Sequence, residues 1–527
     1  MILRPTRPYL LSQLVPAAAE RDPSAHAVTG GDDRLDYATL HDRVARLSAA
    51  LRVRGISPGD RVVVASPKST AAHIAMHAAM HAGAVAVPID PRSSASTVDD
   101  VLGRIDPAAA FLHPSTARNW PSRATRVLTI GCDPGAGAPH LSDDEVAAAE
   151  PAGPVTRTGH DPAYMITTSG STGRPKSIVH THRSGLRYAE IAADCYGLES
   201  RDRMANVAPF HFDQSTFELY AAPLVGAGVV LVADAVLRFP ASVAELVESE
   251  RVTVWYSVPT ILRQLLDRGA LSERSLASLR WVIFGGEVFP ANDLRRLMQL
   301  APNARFSNAY GPAEVNQCTF HHLDEPPTDG ESIPIGVAWG DTACRIRPVG
   351  QHDAPQAEER SLGELWVSTA TAMAGYWAQP ELTDRAFVDE VGPGGIVTRW
   401  YRTGDLVERD AHGRLHFLGR LDRQVKVRGV RIELEAVEAA LDSIAGVSAS
   451  AAGLTESGSL GALVETTTVE VDTIRAILHD RLPPSARPEF IRTTTALPRT
   501  GSDKVDHAAV AVRIEALDRS PAAQVTQ

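Results

Sequence analysis

The stretch "AYMITTSGSTGRPKS", residues 163–177, decides the fold reading. It begins as a short apolar strand and runs straight into a loop of hydroxyls, glycines and one lysine. The spacing approaches a Walker phosphate loop, with Gly170 at the right offset before Lys176-Ser177. Pro175 excludes that reading, because it stands where the last glycine should be and has no backbone N–H to offer a phosphate. Phosphate chemistry stays open, since hydroxyls, glycine amides and a lysine are all donors. So does a plain Gly/Ser turn.

The surroundings decide where such a loop sits. "YATLHDRVARLSAALRVRG" has helical apolar spacing and stops at Gly55, "DRVVVAS" is a buried strand, "AAHIAMHAAMHAG" is a helix ending at Gly83, and "AVAVPID" is the next strand. "GVVLVA", "VTVWYSV" and "RWVIFGG" continue the rhythm, with helices such as "SVAELVESE" and "PTILRQLLDRG" between them. Strand–helix repetition predicts crossover units and mainly parallel sheets, an α/β fold. The loop then lies at the carboxyl end of a strand, where open α/β sheets bind ligands. Residues 133–158 read as a loose Ala/Gly/Pro connection.

After about residue 330 the texture becomes antiparallel, with "GELWVST", "RLHFLGR" and "RQVKVRG" as short strands and "ELEAVEAAL" as an amphipathic helix. "RLPPSARPEF" reads as a linker, and the tail after Ala508 as a helix that frays. A boundary near Arg420–Asp422 is expected: a large domain over 1–420 and a small α+β domain over 421–527.

Composition narrows the classes. The chain has 527 residues, 44% hydrophobic and 22% charged, as in a globular protein. A net charge of -11 argues against nucleic acid as a general partner. Cys132, Cys195, Cys318 and Cys344 are scattered without a CxxC pair, and the apolar run near the N-terminus is too short for a signal peptide. The cysteine pattern fits a reducing cytoplasm, which is the expected location, and no run is long enough to span a membrane. His73, His77 and His81 share a helix face; with no carboxylate or cysteine beside them, a partly exposed packing face is expected rather than a metal site.

Of 52 Lys plus Arg residues only four are lysines: Lys68, Lys176, Lys426 and Lys504. A retained lysine marks a place for a compact ammonium where a planar guanidinium will not serve. Lys68 sits in no motif and reads as a chance survivor; the other three lie in unusual local sequence.

Further stretches follow the loop in fixed order: "NAYGPAEV", "GELWVSTATAMAGYW", "YRTGDLVERDAHGRLHFLGRLDRQVKVRGVRIELEAVEAAL" and "LPRTGSDKVD". With "LDYATL" and "MHAGAVAVPIDP" they resemble the core motifs of adenylate-forming ligases. This superfamily includes acyl-CoA synthetases, luciferases and the adenylation domains of nonribosomal peptide synthetases. The resemblance covers about Leu11 to Val510.

It implies ATP and Mg²⁺ as cofactors, an acyl-adenylate intermediate, and a thiol acceptor. Thr168, Ser169, Gly170, Ser171, Thr172 and Gly173 match the family's mobile phosphate loop, and Lys176 its lysine; Ser177 replaces the usual glycine. Tyr310 matches the residue that stacks on adenine, and Glu314 the Mg²⁺ carboxylate, a hard donor for a hard cation. Asp405 matches the ribose-binding aspartate and Arg420 a second nucleotide contact. Gly286, Glu287, Asn308, Gly311 and Phe417 fall to the same nucleotide site. Asp422 matches the hinge about which the small domain rotates, carrying Lys504 in for adenylation and out for thiol transfer. Lys504, Glu314 and Thr172 are thereby the expected catalytic residues. Lys426 and Gly429 match the strand and loop that face the site in the thiol-transfer pose. Ala313, where threonine is usual, and Asp503, where glycine is usual, depart from the pattern.

"PFHFDQSTFEL" resembles the amino-acid branch, in which Asp213 would pair with the substrate ammonium; from the residues alone Asp213 reads as a helix cap. The branch's pocket positions fall on Gln214, Phe217, Tyr256, Ile283, Gly285, Ala309, Gln317 and Cys318. Phe217 and Tyr256 favour a small or medium side chain, and Gln214 and Gln317 a polar group. A β-amino acid, proline and a small polar α-amino acid all remain open. Only 23 residues follow Lys504 and no carrier serine motif appears, so a stand-alone enzyme loading the phosphopantetheine of a separate carrier protein is expected. An acyl-CoA or aryl-CoA ligase is the alternative, and a non-catalytic nucleotide-binding relative a second.

Overall fold

The computed structural model describes residues 7–31, 33–118, 120–121, 127–133, 139–168, 176–271, 274–348, 361–499 and 505–518. Two large sheets dominate, one of nine strands and one of eight. In the first, the strands His26–Gly30, Arg203–Asn206, Gly228–Leu231, Val254–Ser257, Trp281–Gly285 and Arg305–Tyr310 pair in parallel. In the second, Arg61–Ala65, Val85–Pro88, Ala109–Leu112, Leu128–Ile130, His140–Leu141 and Pro162–Thr168 do the same. Antiparallel strands close the edges.

The short apolar strands have no polar face because both sides are covered. Val62 and Val64 enter the central core, while Val63 and Ala65 pack on the other side of the same sheet. The central core takes residues from both sheets and from the helices Leu14–Arg21, Tyr37–Val53, Thr70–His81, His182–Tyr196 and Thr216–Val225. Helices Pro240–Ser249, Pro259–Arg268 and Ala291–Leu300 cover the outer face of the nine-stranded sheet. Asp36 and Ser69 cap two of the inner helices, accepting from the amides of Thr39 and Ala72.

Two expectations need correction. His73, His77 and His81 are not partly exposed; they are 2%, 3% and 0% accessible, because their helix lies in the layer between the two sheets. Among the described residues, no group of three or more His, Cys, Asp or Glu is placed to hold a metal. The connection over 133–158 is not wholly irregular either. It holds the strand His140–Leu141 and the helix Asp143–Ala148, which Ser142 and Glu145 cap reciprocally.

A five-stranded antiparallel sheet follows, with strands Ala343–Arg347, Leu362–Ser368, Phe387–Val391, Val397–Arg409 and Leu415–Arg420. Beyond it the hairpin Gln424–Val427/Val430–Glu433, a three-stranded sheet and the helices Leu434–Asp442, Val471–Arg481 and His507–Asp518 build two clusters of their own, from Val427 to Ile514. None of the helices among the described residues is long and apolar enough to cross a membrane.

Candidate active site

The quoted loop joins two antiparallel strands rather than a strand and a helix. Thr168 ends one strand and faces Lys176, the first residue of the next. Ser169, Gly170, Ser171, Thr172 and Gly173 lie outside the described residues, as does Lys504.

Near Thr168, the carboxyl ends of the parallel strands of the nine-stranded sheet open on a cleft of about 1670 Å³. Gly285 ends one strand beside Ala309 of the next, and a Cβ there would stand 2.1 Å from the Ala309 carbonyl oxygen. Only glycine lets these strand ends approach so closely. Gly286, Glu287, Asn308, Ala309, Tyr310 and Gly311 then line the cleft in two adjacent runs. The Asn308 amide donates to the Pro334 carbonyl, 2.8 Å away.

Three residues expected to hold a nucleotide form one cluster. The Tyr310 hydroxyl donates to one oxygen of Asp405, and Arg420 donates to the other. Arg420 also grips Asp422 through Nε at 2.6 Å and through its second terminal nitrogen at 2.8 Å. Burial pushes the Asp405 carboxyl above its ordinary value, against the opposing charge of Arg420. The Phe417 ring centre lies 6.5 Å from that of Tyr310.

Glu314 is 1% accessible. Its two oxygens accept from one nitrogen of Arg431 at 3.0 and 2.9 Å, and the Tyr376 hydroxyl donates to it at 2.8 Å. Burial works against its charge, but Arg431 and the Tyr376 hydroxyl outweigh that, and its pKa lies below the ordinary carboxylate value. A buried, ionised carboxylate with both oxygens turned to one cation fits a hard divalent ion as well.

Arg431 comes from the hairpin beyond Arg420, and its neighbours contact the same cleft. Glu433, 2% accessible, meets Lys176 Nζ at 2.6 Å. The Gly429 amide donates to Glu287 at 2.6 Å, and Glu287 also accepts from the Thr260 amide and hydroxyl at 3.1 and 2.6 Å. Lys426 lines the cleft; burial lowers its pKa, while Asp405 and Asp213 favour its charge.

Asp213 begins a short 3₁₀ turn ahead of the helix Thr216–Val225, and neither helix start uses a side-chain cap. The capping explanation therefore fails. The carboxyl lines the cleft, and burial raises its pKa against the pull of Lys426. Gln214 donates to the Gly285 carbonyl at 3.3 Å. Tyr256 also lines the cleft, and its ring centre lies 5.4 Å from that of Phe217. Phe217, Ile283 and Cys318 are fully buried behind it. Gln317 donates to the Tyr196 hydroxyl at 3.0 Å, and its own buried carbonyl oxygen has no partner among the described residues.

The sequence reading missed Arg431, Glu433, Tyr376 and Tyr196. A signal existed for the first two, since "RIE" directly follows the hairpin turn after Lys426. Tyr376 lies inside the quoted stretch "GELWVSTATAMAGYW", while nothing marks Tyr196, which reaches the site only through packing.

A cleft lined in this order belongs to one class. Residues 15–377 match the family model "AMP-binding enzyme", and the chain belongs to that family. It is 32% identical over 518 residues to an L-proline--[L-prolyl-carrier protein] ligase of Pseudomonas fluorescens, covering 96% of this chain and 99% of that protein. A Streptomyces coelicolor protein of the same name is 35% identical over 424 residues, covering 78% of each. Among solved structures, the Vibrio cholerae adenylation domain AlmE, in complex with glycyl-adenosine-5'-phosphate, superposes with a TM-score of 0.82 at 24% identity, covering 98% of this chain and 99% of that one. At that identity the likeness shows the fold.

Proposed function

We propose that the protein is a stand-alone adenylate-forming ligase of natural-product biosynthesis. It activates an amino acid with ATP, releasing pyrophosphate, and passes the aminoacyl group to the phosphopantetheine thiol of a separate carrier protein. The observation that carries this is one cleft holding a half-buried, non-capping carboxylate, Asp213, together with the Tyr310–Asp405–Arg420 cluster.

Asp213 pairs with the substrate ammonium, a charge that an acid without an amine would leave unmatched. Tyr310 stacks on adenine, and Asp405 accepts from the ribose hydroxyls with its two oxygens. Lys176 and the loop from Thr168 to Gly173 hold the phosphates. Glu314 would hold Mg²⁺, which neutralises phosphate charge as the carboxylate and ATP are brought together. Lys504 acts in the first step, on a small domain that turns about Asp422. In the second step the hairpin bearing Lys426 and Gly429 faces the site. The contacts of Gly429 with Glu287, Arg431 with Glu314 and Glu433 with Lys176 support this thiol-transfer pose. For the substrate side chain, the Tyr256 wall, backed by the buried Phe217, favours small or medium size, and the unpartnered Gln317 oxygen favours a polar group over an aliphatic one.

The test is ATP–pyrophosphate exchange over a panel of amino acids, including proline, β-amino acids and small polar α-amino acids, with Asp213→Ala and Lys504→Ala alongside. Exchange with an amino acid that both substitutions abolish is the expected result. Exchange only with plain carboxylic acids would overturn the amino-acid assignment.

A further inference from the structure

Lys68 belongs to none of the family motifs, yet it is one of four lysines in the chain and only 8% accessible. It lies between the strand Arg61–Ala65 of the eight-stranded sheet and the helix Thr70–His81. Its ammonium crosses to the other sheet, where it donates to the backbone carbonyls of Asn206 (3.0 Å) and Val207. Among the described residues no carboxylate forms a direct ion pair with it. Burial lowers its pKa to about 7, against the more distant pull of Asp234 and Glu218. A buried amine held by two carbonyls, rather than by a carboxylate, acts by its shape and donors.

The carbonyls it holds are at a decisive place. Asn206 is the last residue of its strand, and residues 207–215 leave the sheet there, as tight turns, to deliver Asp213 and Gln214 to the cleft. The Asn206 side chain donates to the buried Glu218 at 3.0 Å, and Glu218 is the helix neighbour of Phe217, which packs behind the cleft residue Tyr256. Burial raises the Glu218 pKa to about 8, so near neutral pH it is largely protonated and need not draw Lys68 away. Lys68, Asn206 and Glu218 thus tie the exit of the Asp213 segment and the Phe217 helix to the opposite sheet.

We propose that Lys68 is a positioning residue for the amino-acid pocket: by clamping the Asn206 and Val207 carbonyls it fixes where the Asp213 carboxylate stands. The proposal rests on the amino-acid reading of Asp213. The nucleotide cluster, built from Tyr310, Asp405 and Arg420, hangs on other strands and does not depend on this clamp.

The experiment uses the full chain and the amino acid that the wild type exchanges best. KM for that amino acid and KM for MgATP are measured for Lys68→Met and Lys68→Arg, with thermal midpoints. For Lys68→Met the amino-acid KM is expected to rise about tenfold, the scale of a slightly misplaced contact, with the MgATP KM within about twofold. Lys68→Arg, which keeps donors for the two carbonyls but not the compact ammonium, is expected to recover only part of the loss. If Lys68→Met does not fold, Lys68→Gln takes its place under the same comparison. Equal rises in both KM values, an unchanged amino-acid KM, or an arginine variant as impaired as the methionine one would overturn the proposal. A wild type that exchanges with no amino acid would overturn the functional reading itself, and is told apart because the failure precedes any substitution.

Discussion

Asp213 shows how little a single residue reveals before the fold is known. In sequence it looks like a helix cap, yet the folded chain leaves it uncapping, half-buried and facing a cleft. Removing it should cost the amino-acid KM far more than the MgATP KM. Asp213→Ala is expected to lower kcat/KM for the amino acid by about a hundredfold or more, the scale for truncating one partner of a buried charge pair. Asp213→Asn should recover little, because an amide cannot match an ammonium. Steady-state exchange with each substrate varied in turn checks both. Glu314 and Asp405 were legible from their motifs, and so were Tyr310 and Arg420 beside Asp405, but the partners of Glu314 were not. Arg431 and Tyr376 come from other elements, and only folding brings them to Glu314.

At the scale of elements, the helix Thr70–His81 carries a pH dependence of stability. Burial lowers the pKa values of His73 and His81 from 6.5 to about 4, and that of His77 well below 6.5. Below pH 6.5 the unfolded chain takes up protons that the folded chain refuses. The stabilisation is therefore complete above pH 6.5 and is lost as pH falls toward 4, by up to about 3 kcal/mol for His73 alone. Urea unfolding at pH 7 and pH 5 is expected to show this loss, and His77→Leu should make it smaller. The helix itself was readable from apolar spacing. Its complete burial was not, because the sequence does not say which elements lie between the sheets. The hairpin turn at Gly429 gives a second test. Its φ is +81°, and a Cβ would stand 2.5 Å from Val258 Cγ1. Gly429→Ala should slow carrier loading about tenfold or more while leaving pyrophosphate exchange within about threefold. Loading of a carrier protein from preformed aminoacyl-adenylate measures the first, and exchange the second.

At the scale of the whole molecule, the hairpin and the proposed MgATP ligand want the same two groups. Glu433 stands against Lys176 where a phosphate would, and Arg431 against Glu314 where a divalent cation would. Docking of the hairpin and binding of MgATP are therefore expected to compete, each shifting the population of the other. Glu433→Gln should tighten MgATP binding about fivefold in calorimetric titration and weaken loading of the carrier. Unchanged MgATP affinity would mean that the two do not compete.

The sequence by itself determined the α/β alternation, the parallel sheets and the ordered motifs. Strand and helix periods are local, and the motifs are short runs read in chain order. Only the tertiary structure decided which face each element hides, that Lys68 spans two sheets, and that Glu433 and Arg431 meet Lys176 and Glu314 across 257 and 117 residues. The reason is physical: burial and charge pairing depend on distance in space, and nothing in a local pattern encodes which remote side chain will close that distance.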